Sequence, residues 1–240
     1  MAEKTDTDTD AVDGTADDVP VEDEAVDTAD TPLEENDALP EDVPVPVFQK
    51  YRWRAGSWTW WEMLTSSLLG LVASFVLSVD AISLAENPNA ILSCNINSKI
   101  SCGTVGVSWQ ASLLGFPNAF LGLISEPVVI TVAVAALAGV RFPRWFMLTA
   151  QTIYAIGFAF ALWLFYEAYF RIGALCPWCL LITVTTTLVF VSMTRVNILE
   201  GNFGEKVRVK GGKLLTYGLD IAGVTILFAV IAAMIFVKYI

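Results

Sequence analysis

The sequence has 240 residues, of which 55% are hydrophobic and only 16% are charged. That balance excludes an ordinary soluble domain of this length and favours a small protein that crosses a membrane several times. The net charge of −11 arises in residues 1–43, which hold 17 of the 25 acidic residues and a single base, Lys4. The remainder of the chain is therefore basic overall.

The acidic segment of residues 1–43 consists mainly of Asp, Glu, Thr, Ala and Pro, and it contains no aromatic residue. It cannot bury enough apolar surface to offset the entropy of an ordered chain, so we predict a disordered acidic tail. The tail could serve as a solubilising spacer or as a docking segment. It has no basic stretch followed by an apolar core, so no cleaved signal peptide is expected. Residues 44–62 follow as a juxtamembrane segment.

Five apolar runs follow, and each is close to the roughly 20 residues that a membrane-spanning helix needs. They cover residues 63–79, 118–140, 145–169, 175–194 and 214–237. The connecting segments are short or basic, except for residues 80–117, which form the only long polar segment between two spans. We therefore predict an all-α integral membrane protein with five transmembrane helices.

The distribution of basic residues predicts the direction of these spans. If the N-terminus lies in the cytoplasm, eleven bases fall on the inner side and three on the outer side, as the positive-inside rule requires. The three outer bases are Lys99, Arg171 and Lys238. We predict a multi-pass protein of the cell inner (plasma) membrane, with a cytoplasmic N-terminus and an extracytoplasmic C-terminus.

All four cysteines fall on one side of the predicted membrane. Cys94 and Cys102 lie in the segment 80–117, and Cys176 and Cys179 begin the fourth span, two crossings later. The charge rule assigns them to the outer face, where disulfides can persist. Pro177 suits the first position of a helix, so Cys176 is predicted near the N-cap, where the helix dipole stabilises a thiolate. This arrangement suggests a redox relay of two cysteine pairs.

Two other interpretations of the four thiols remain open at this point. They could form a structural zinc site, but the spacing Cys-x7-Cys differs from a usual zinc knuckle and the chain has no histidine. They could also form two structural disulfides, although a strained disulfide within Cys-x-x-Cys at a membrane edge would stabilise the fold poorly. We favour the relay and predict no metal site.

Two stretches resemble bacterial homologues of vitamin K epoxide reductase. They are NPNAILSCNINSKISCGTVGVSWQASLLGFPNAFLGL, residues 87–123, and IGALCPWC, residues 172–179. The resemblance covers about residues 60–195 and implies a four-helix catalytic bundle around a quinone, here residues 63–194. Residues 195–240 would then add a basic cytoplasmic loop and a fifth transmembrane helix. Some homologues carry a fused thioredoxin-like domain after the fifth span, and this sequence stops at residue 240.

The resemblance implies a role for each cysteine. Cys94 would meet a separate thioredoxin-like dithiol protein on the outer face, and Cys102 would pass the electrons to Cys176. Cys179 would be the thiol next to a membrane quinone, either menaquinone or ubiquinone. Membrane lipid is a further expected partner, and no nucleic acid partner is expected.

Three further residues match family positions near the quinone. Asn118 corresponds to an asparagine that hydrogen-bonds a quinone oxygen, although after Pro117 it could instead cap the second span. Ser108 corresponds to a loop serine near the cysteines. Thr183 stands where family members often carry an aromatic residue, and a threonine there could bond its own helix instead. Glu126, in the second span, could supply protons to a quinone or pair with a polar neighbour.

The sequence therefore predicts a quinone-dependent oxidoreductase that reoxidises an extracytoplasmic partner and so supports disulfide-bond formation. Two alternatives remain. The protein could reduce vitamin K epoxide or vitamin K quinone, or it could be a non-enzymatic membrane protein whose cysteines are structural.

Overall fold

A computed structural model of the chain describes the backbone of residues 47–239 and the side chains of residues 57–239. The tail predicted for residues 1–43 lies outside the described residues. The described part contains seven α-helices and no β-strand. The helices are α1 (Val47–Glu86), α2 (Cys102–Gly106), α3 (Ala119–Leu137), α4 (Arg144–Glu167), α5 (Pro177–Leu199), α6 (Glu205–Thr216) and α7 (Leu219–Tyr239).

Five helical segments are long and apolar enough to cross a membrane, which confirms the predicted number of spans. They are Ser57–Glu86, Ala119–Leu137, Arg144–Ile172, Pro177–Leu199 and Leu219–Tyr239. The protein is therefore a multi-pass, all-α membrane protein.

Some helix boundaries differ from the predicted spans, because a helix can extend beyond an apolar run or begin after the run has started. Helix α1 continues past Val79 to Glu86, because no proline or glycine follows until Asn87-Pro88. The fifth span begins at Leu219 instead of residue 214, since Gly218 adopts a left-handed conformation with φ of 70°. The predicted basic loop contains a helix of its own, α6.

Helix α1 lies against both α3 and α5, and α4 packs against α5. A core of buried apolar side chains fills the half of this bundle nearest the 138–143 turn, and it includes Met63, Met147 and Val189. At Gly122 the chain leaves no room for a side chain, because a Cβ atom there would lie 2.0 Å from the Ser74 hydroxyl. Glycine at this position therefore sets the close approach of α1 and α3.

The segment between α1 and α3 folds back over the start of α5. Residues Ile100 and Leu175 form an isolated parallel β-bridge. In it the Ser101 N–H donates to the Leu175 carbonyl (3.0 Å), and the Leu175 N–H donates to the Lys99 carbonyl (2.9 Å). The bridge holds the residues just before Cys102 beside those just before Cys176.

Candidate redox site

The first cysteine pair is joined in the structure. Cys94 and Cys102 form a disulfide and both are buried. Cys102 is the first residue of α2, whose N-cap is Ser101, and the Ser101 hydroxyl accepts a bond from the Thr104 N–H (3.1 Å). The Asn95 side-chain oxygen accepts from the Gly103 N–H (2.9 Å). These bonds fix the start of α2, and with it Cys102.

The second pair is reduced and occupies the start of α5. Cys176 is the N-cap and Pro177 the first helical residue, as the sequence predicts. The Cys176 sulfur accepts a hydrogen bond from the Cys179 N–H at 3.3 Å. A hydrogen bond from the Cys179 thiol, supported by the N–H groups of Cys179 and Trp178, lowers the pKa of Cys176 below its ordinary value, although burial opposes this effect.

The two pairs meet at a single contact. The Cys176 sulfur lies 3.3 Å from the Cys102 sulfur, and both residues are only 2% exposed. A thiolate attacks a disulfide at one sulfur and expels the other, so a thiolate at Cys176 is within reach of Cys102. The geometry therefore allows exchange between the pairs through Cys102 and Cys176, with Cys94 as the sulfur that leaves.

An acidic side chain lies beside the outer sulfur of the loop pair. The Asp80 carboxylate is 3.6 Å from the Cys94 sulfur, and the possible ligand atoms of Asp80, Cys94 and Cys102 fall within 4.8 Å of one another. Because the two sulfurs are bonded to each other, neither is a thiolate, the form of cysteine that binds a metal. In this redox state the three residues do not fit a metal ion.

Asn118 occupies the N-cap position of α3 but makes no capping bond with its side chain. Instead its amide nitrogen donates to the Gln110 carbonyl at 2.6 Å. Its side-chain oxygen is buried and has no hydrogen-bond partner among the described residues. A buried polar atom of this kind carries a free-energy cost unless a ligand or water satisfies it.

The other two predicted residues bond to nearby backbone. The Thr183 hydroxyl, one turn after Cys179, donates to the Cys179 carbonyl at 2.9 Å and is buried. The Ser108 hydroxyl donates to the Val105 carbonyl at 2.6 Å, just after α2 ends. Thr183 therefore lies directly below the α5 cysteines, whereas Ser108 is engaged in holding the loop.

Sequence reasoning missed a polar link between the loop and α4. The Gln110 amide donates to the Glu167 carboxylate at 3.0 Å, and both side chains are buried. The backbone carbonyl of the same Gln110 accepts the bond from Asn118. Glu167 is the last residue of α4. A glutamine next to Trp109, in a segment with no charged residue between Cys102 and Asn118, was the available signal.

Comparison with known protein families agrees with this geometry. The model of the vitamin K epoxide reductase family matches residues 61–194, which is more than half of the chain and includes all four cysteines. A search of the curated proteins found no match. The match confirms the resemblance seen in the sequence. The chain belongs to the vitamin K epoxide reductase family, a family of membrane redox enzymes with cysteine pairs.

Proposed function

We propose that this protein oxidises a dithiol partner outside the cytoplasm and passes the electrons through its two cysteine pairs to a membrane quinone. The observation that carries the proposal is the 3.3 Å contact between the Cys102 and Cys176 sulfurs. A relay needs one cysteine pair to be in contact with the other. Two independent structural disulfides would not require such a contact.

The steps follow thiol–disulfide exchange. A partner thiolate attacks Cys94 and expels Cys102 as a thiolate, and the second partner thiol then releases the partner as a disulfide. The Cys102 thiolate attacks Cys176 of the α5 disulfide and expels Cys179. Cys94 then attacks Cys102, which restores the loop disulfide and leaves Cys176 and Cys179 reduced. Two electrons have moved inward, and each bond broken has been replaced by a new one.

Three residues fit the role of holding a quinone at the end of this path. The Asn118 amide nitrogen donates one hydrogen to the Gln110 carbonyl and has a second hydrogen with which to donate to a ligand carbonyl. Cys179 lies in the first turn of α5 and is partly buried, and Thr183 lies one turn deeper. A bound quinone would supply the oxidising power, since its reduction takes up two electrons and two protons. Cys176 and Cys179 provide the electrons when they close their disulfide.

A free thioredoxin-like protein is the partner that we propose, on the face where the loop 87–118 lies. The count of basic residues supports an extracytoplasmic position for this face. In a variant without native cysteines, Ile240→Cys should react with a membrane-impermeant thiol reagent from outside the cell. A cysteine introduced in the acidic tail should react only after lysis, and the reverse pattern would overturn the orientation.

Anaerobic quinone reduction tests the proposed activity. Purified protein is reduced with a dithiol, freed of excess reductant and mixed with menaquinone or ubiquinone analogues, and quinone absorbance is followed. We expect one quinone reduced for each α5 disulfide formed, and no reduction by Cys179→Ala. Absence of transfer from the wild-type protein to every quinone tested would overturn the proposal. Reduction of vitamin K epoxide in a parallel assay, with no quinone reduction, would favour the epoxide reductase alternative.

A further inference from the structure

A row of three lysines on helix α6 lies outside the redox site. Lys206, Lys210 and Lys213 are spaced four and three residues apart, so their side chains project from one face of the helix. All three residues are exposed, and none forms an ion pair with another described residue. The other base of α6, Arg208, pairs with Glu205. Because like charges at this spacing repel each other, an anion next to the row would stabilise α6.

Exposed apolar side chains lie beside this α6 lysine row. Val207 is 42% exposed and Leu214 is 52% exposed. Lys210 is three residues after Val207 and four before Leu214, so the three side chains are neighbours on the helix surface. A helix of a soluble domain packs its apolar side chains against a core. Exposed apolar residues next to lysines are instead typical of a helix that lies at the surface of a membrane.

The neighbouring spans hold α6 at a membrane surface. Residues 200–204 connect α6 to α5, and residues 217–218 connect it to α7. Each link is short, so neither end of α6 can lie far from the end of a membrane-spanning helix. Helix α7 has 21 residues, or about 32 Å, which is little more than the roughly 30 Å of the hydrocarbon layer. The start of α7, and with it α6, therefore lies close to the lipid headgroups.

The packing of α6 on α5 indicates which side of α6 faces the lipid. Gly211, in the middle of α6, is buried against the last turn of α5, where an added Cβ atom would lie 2.7 Å from the Ile198 side chain. The middle of α6 thus crosses the end of α5. Val207 and Leu214 are four residues before and three residues after Gly211, so they border the face that rests on the bundle. The lysines lie farther round the helix, where their long side chains can reach lipid phosphates.

We propose that the α6 lysine row binds the headgroups of anionic phospholipids, with Val207 and Leu214 in contact with the adjoining acyl chains. The charges are complementary, since each lysine near an anionic membrane surface contributes a roughly five-fold gain in affinity. The exposed apolar side chains leave water in the same contact. This site is independent of the proposed function, because it involves neither the cysteines nor a quinone.

The acidic segment of residues 1–43 is a second source of negative charge on this side of the membrane. Four spans separate it from α6, so both lie on the same side. The segment is rich in Asp and Glu and contains no aromatic residue. Pairing with it would neutralise the lysines but would provide no acyl chains to cover Val207 and Leu214. A phospholipid satisfies both the lysines and the apolar side chains, and we therefore favour lipid.

Native mass spectrometry of the full-length protein tests this site. Phosphatidylglycerol, which is anionic, or phosphatidylcholine, which is zwitterionic, is titrated into protein in detergent, and dissociation constants are obtained from the lipid-bound fractions. We expect the wild-type protein to bind phosphatidylglycerol more tightly. Replacement of all three lysines by glutamine (Lys206→Gln, Lys210→Gln and Lys213→Gln together) should weaken that binding by about tenfold or more and leave phosphatidylcholine binding unchanged.

Two controls separate the α6 lysine row from positive charge in general. Replacing the same three lysines by arginine retains the charge and should retain the preference for phosphatidylglycerol. Lys99→Gln removes an exposed lysine from the loop before α2 and should have little effect. An unchanged affinity for phosphatidylglycerol in the triple glutamine variant, or an equal loss of affinity in Lys99→Gln, would overturn the proposal.

Cross-linking in lipid nanodiscs distinguishes the lipid from the acidic segment. A carbodiimide joins lysine amines to carboxylates, so it reports contacts between the α6 lysine row and residues 1–43 and does not report contacts with lipid phosphate. We expect fewer such cross-links in phosphatidylglycerol than in phosphatidylcholine, because lipid then occupies the row. Cross-links to residues 1–43 at the same yield in both lipids would overturn the proposal and assign the row to the acidic segment.

Discussion

Helices α5 and α7 are similar in length and both are apolar, but they are built for different surroundings. Helix α5 buries polar side chains against its neighbours, among them Thr183, Thr185 and Asn197. Helix α7 has no buried residue among those described, and its contacts are with α5, α6 and the turn that follows α4. Apolar character alone therefore identifies a span but does not say whether the span belongs to the functional core.

The contacts that attach α7 to the rest of the protein also differ from those of α5. Near one end, Arg195 of α5 forms an ion pair with Asp220 at 2.8 Å. Towards the other end, the Tyr169 hydroxyl donates to the Met234 carbonyl at 3.1 Å. These contacts lie near the helix ends, whereas α5 is in contact with α1 and α4. We infer that changes in the bundle affect the redox site strongly and that changes at α7 affect it weakly.

The largest effect is expected where α1 and α3 are closest. In Gly122→Ala the added Cβ would overlap the Ser74 hydroxyl at 2.0 Å and the Ser74 Cβ at 2.8 Å. Overpacking of this kind costs about 3 kcal/mol, so the folded fraction in a thermal or denaturant titration should fall. Gly157→Ala on α4 is the control, since no described atom lies within 4 Å of its Cβ. Equal stability of the two variants would contradict the close packing of α1 and α3.

A smaller effect is expected at the quinone end of the site. Asn118→Ala should slow quinone reduction by about 10- to 100-fold, because it removes a hydrogen bond worth roughly 1–3 kcal/mol in a buried site. Exchange with the dithiol partner should stay intact. If both reactions slow equally, Asn118 acts only by holding the Gln110 carbonyl and the loop.

The pH dependence of thiol reactivity should report the hydrogen bonds to Cys176. Because its pKa is lowered, Cys176 remains a thiolate at pH values below the ordinary cysteine pKa of about 8.5. Its alkylation by iodoacetamide, in a variant without the two loop cysteines, should therefore rise with a midpoint below that value. Adding Cys179→Ala removes the strongest of these hydrogen bonds and should move the midpoint upward. An unchanged midpoint would exclude the Cys179 thiol as the cause.

The smallest effect is expected at α7. Asp220→Asn removes the ion pair with Arg195, whose side chain is 28% exposed, but the amide oxygen can still accept a hydrogen bond from Arg195, so the loss should be roughly 1 kcal/mol. Stability should fall by no more than that, and quinone reduction should stay within about two-fold of wild type. Glu205→Gln, which breaks the exposed pair with Arg208 inside α6, is the comparison for a simple loss of charge. A severe loss of activity in Asp220→Asn alone would place α7 in the functional core.

The sequence predicts features that depend on local physical chemistry. Runs of apolar residues reveal the five spans, and Cys176-Pro177 marks the start of α5. The end of α1 was predicted too early, because a helix can continue into a polar region when no residue stops it. Contacts between distant residues were not predictable in this way. Gln110 and Glu167 are 57 positions apart, and only the packing of the loop on α4 brings them together.

The burial of Glu126 shows the same limit. Its position within a span is evident from the sequence, but its surroundings depend on four helices. Only the structure brings the Tyr154 hydroxyl to one of its carboxyl oxygens. The polar neighbours of this acid therefore became evident only from the three-dimensional arrangement.

The central claim is that electrons pass between Cys102 and Cys176, and trapping that step tests it most directly. In Cys179→Ala the thiol that would otherwise compete for Cys176 is gone, so Cys176 should capture the adjacent Cys102 sulfur. Mass spectrometry of the protein digested without reductant should find a Cys102–Cys176 peptide as the dominant cross-link, with Cys94 free. A dominant Cys94–Cys176 link, or an intact Cys94–Cys102 disulfide with Cys176 unlinked, would contradict the account.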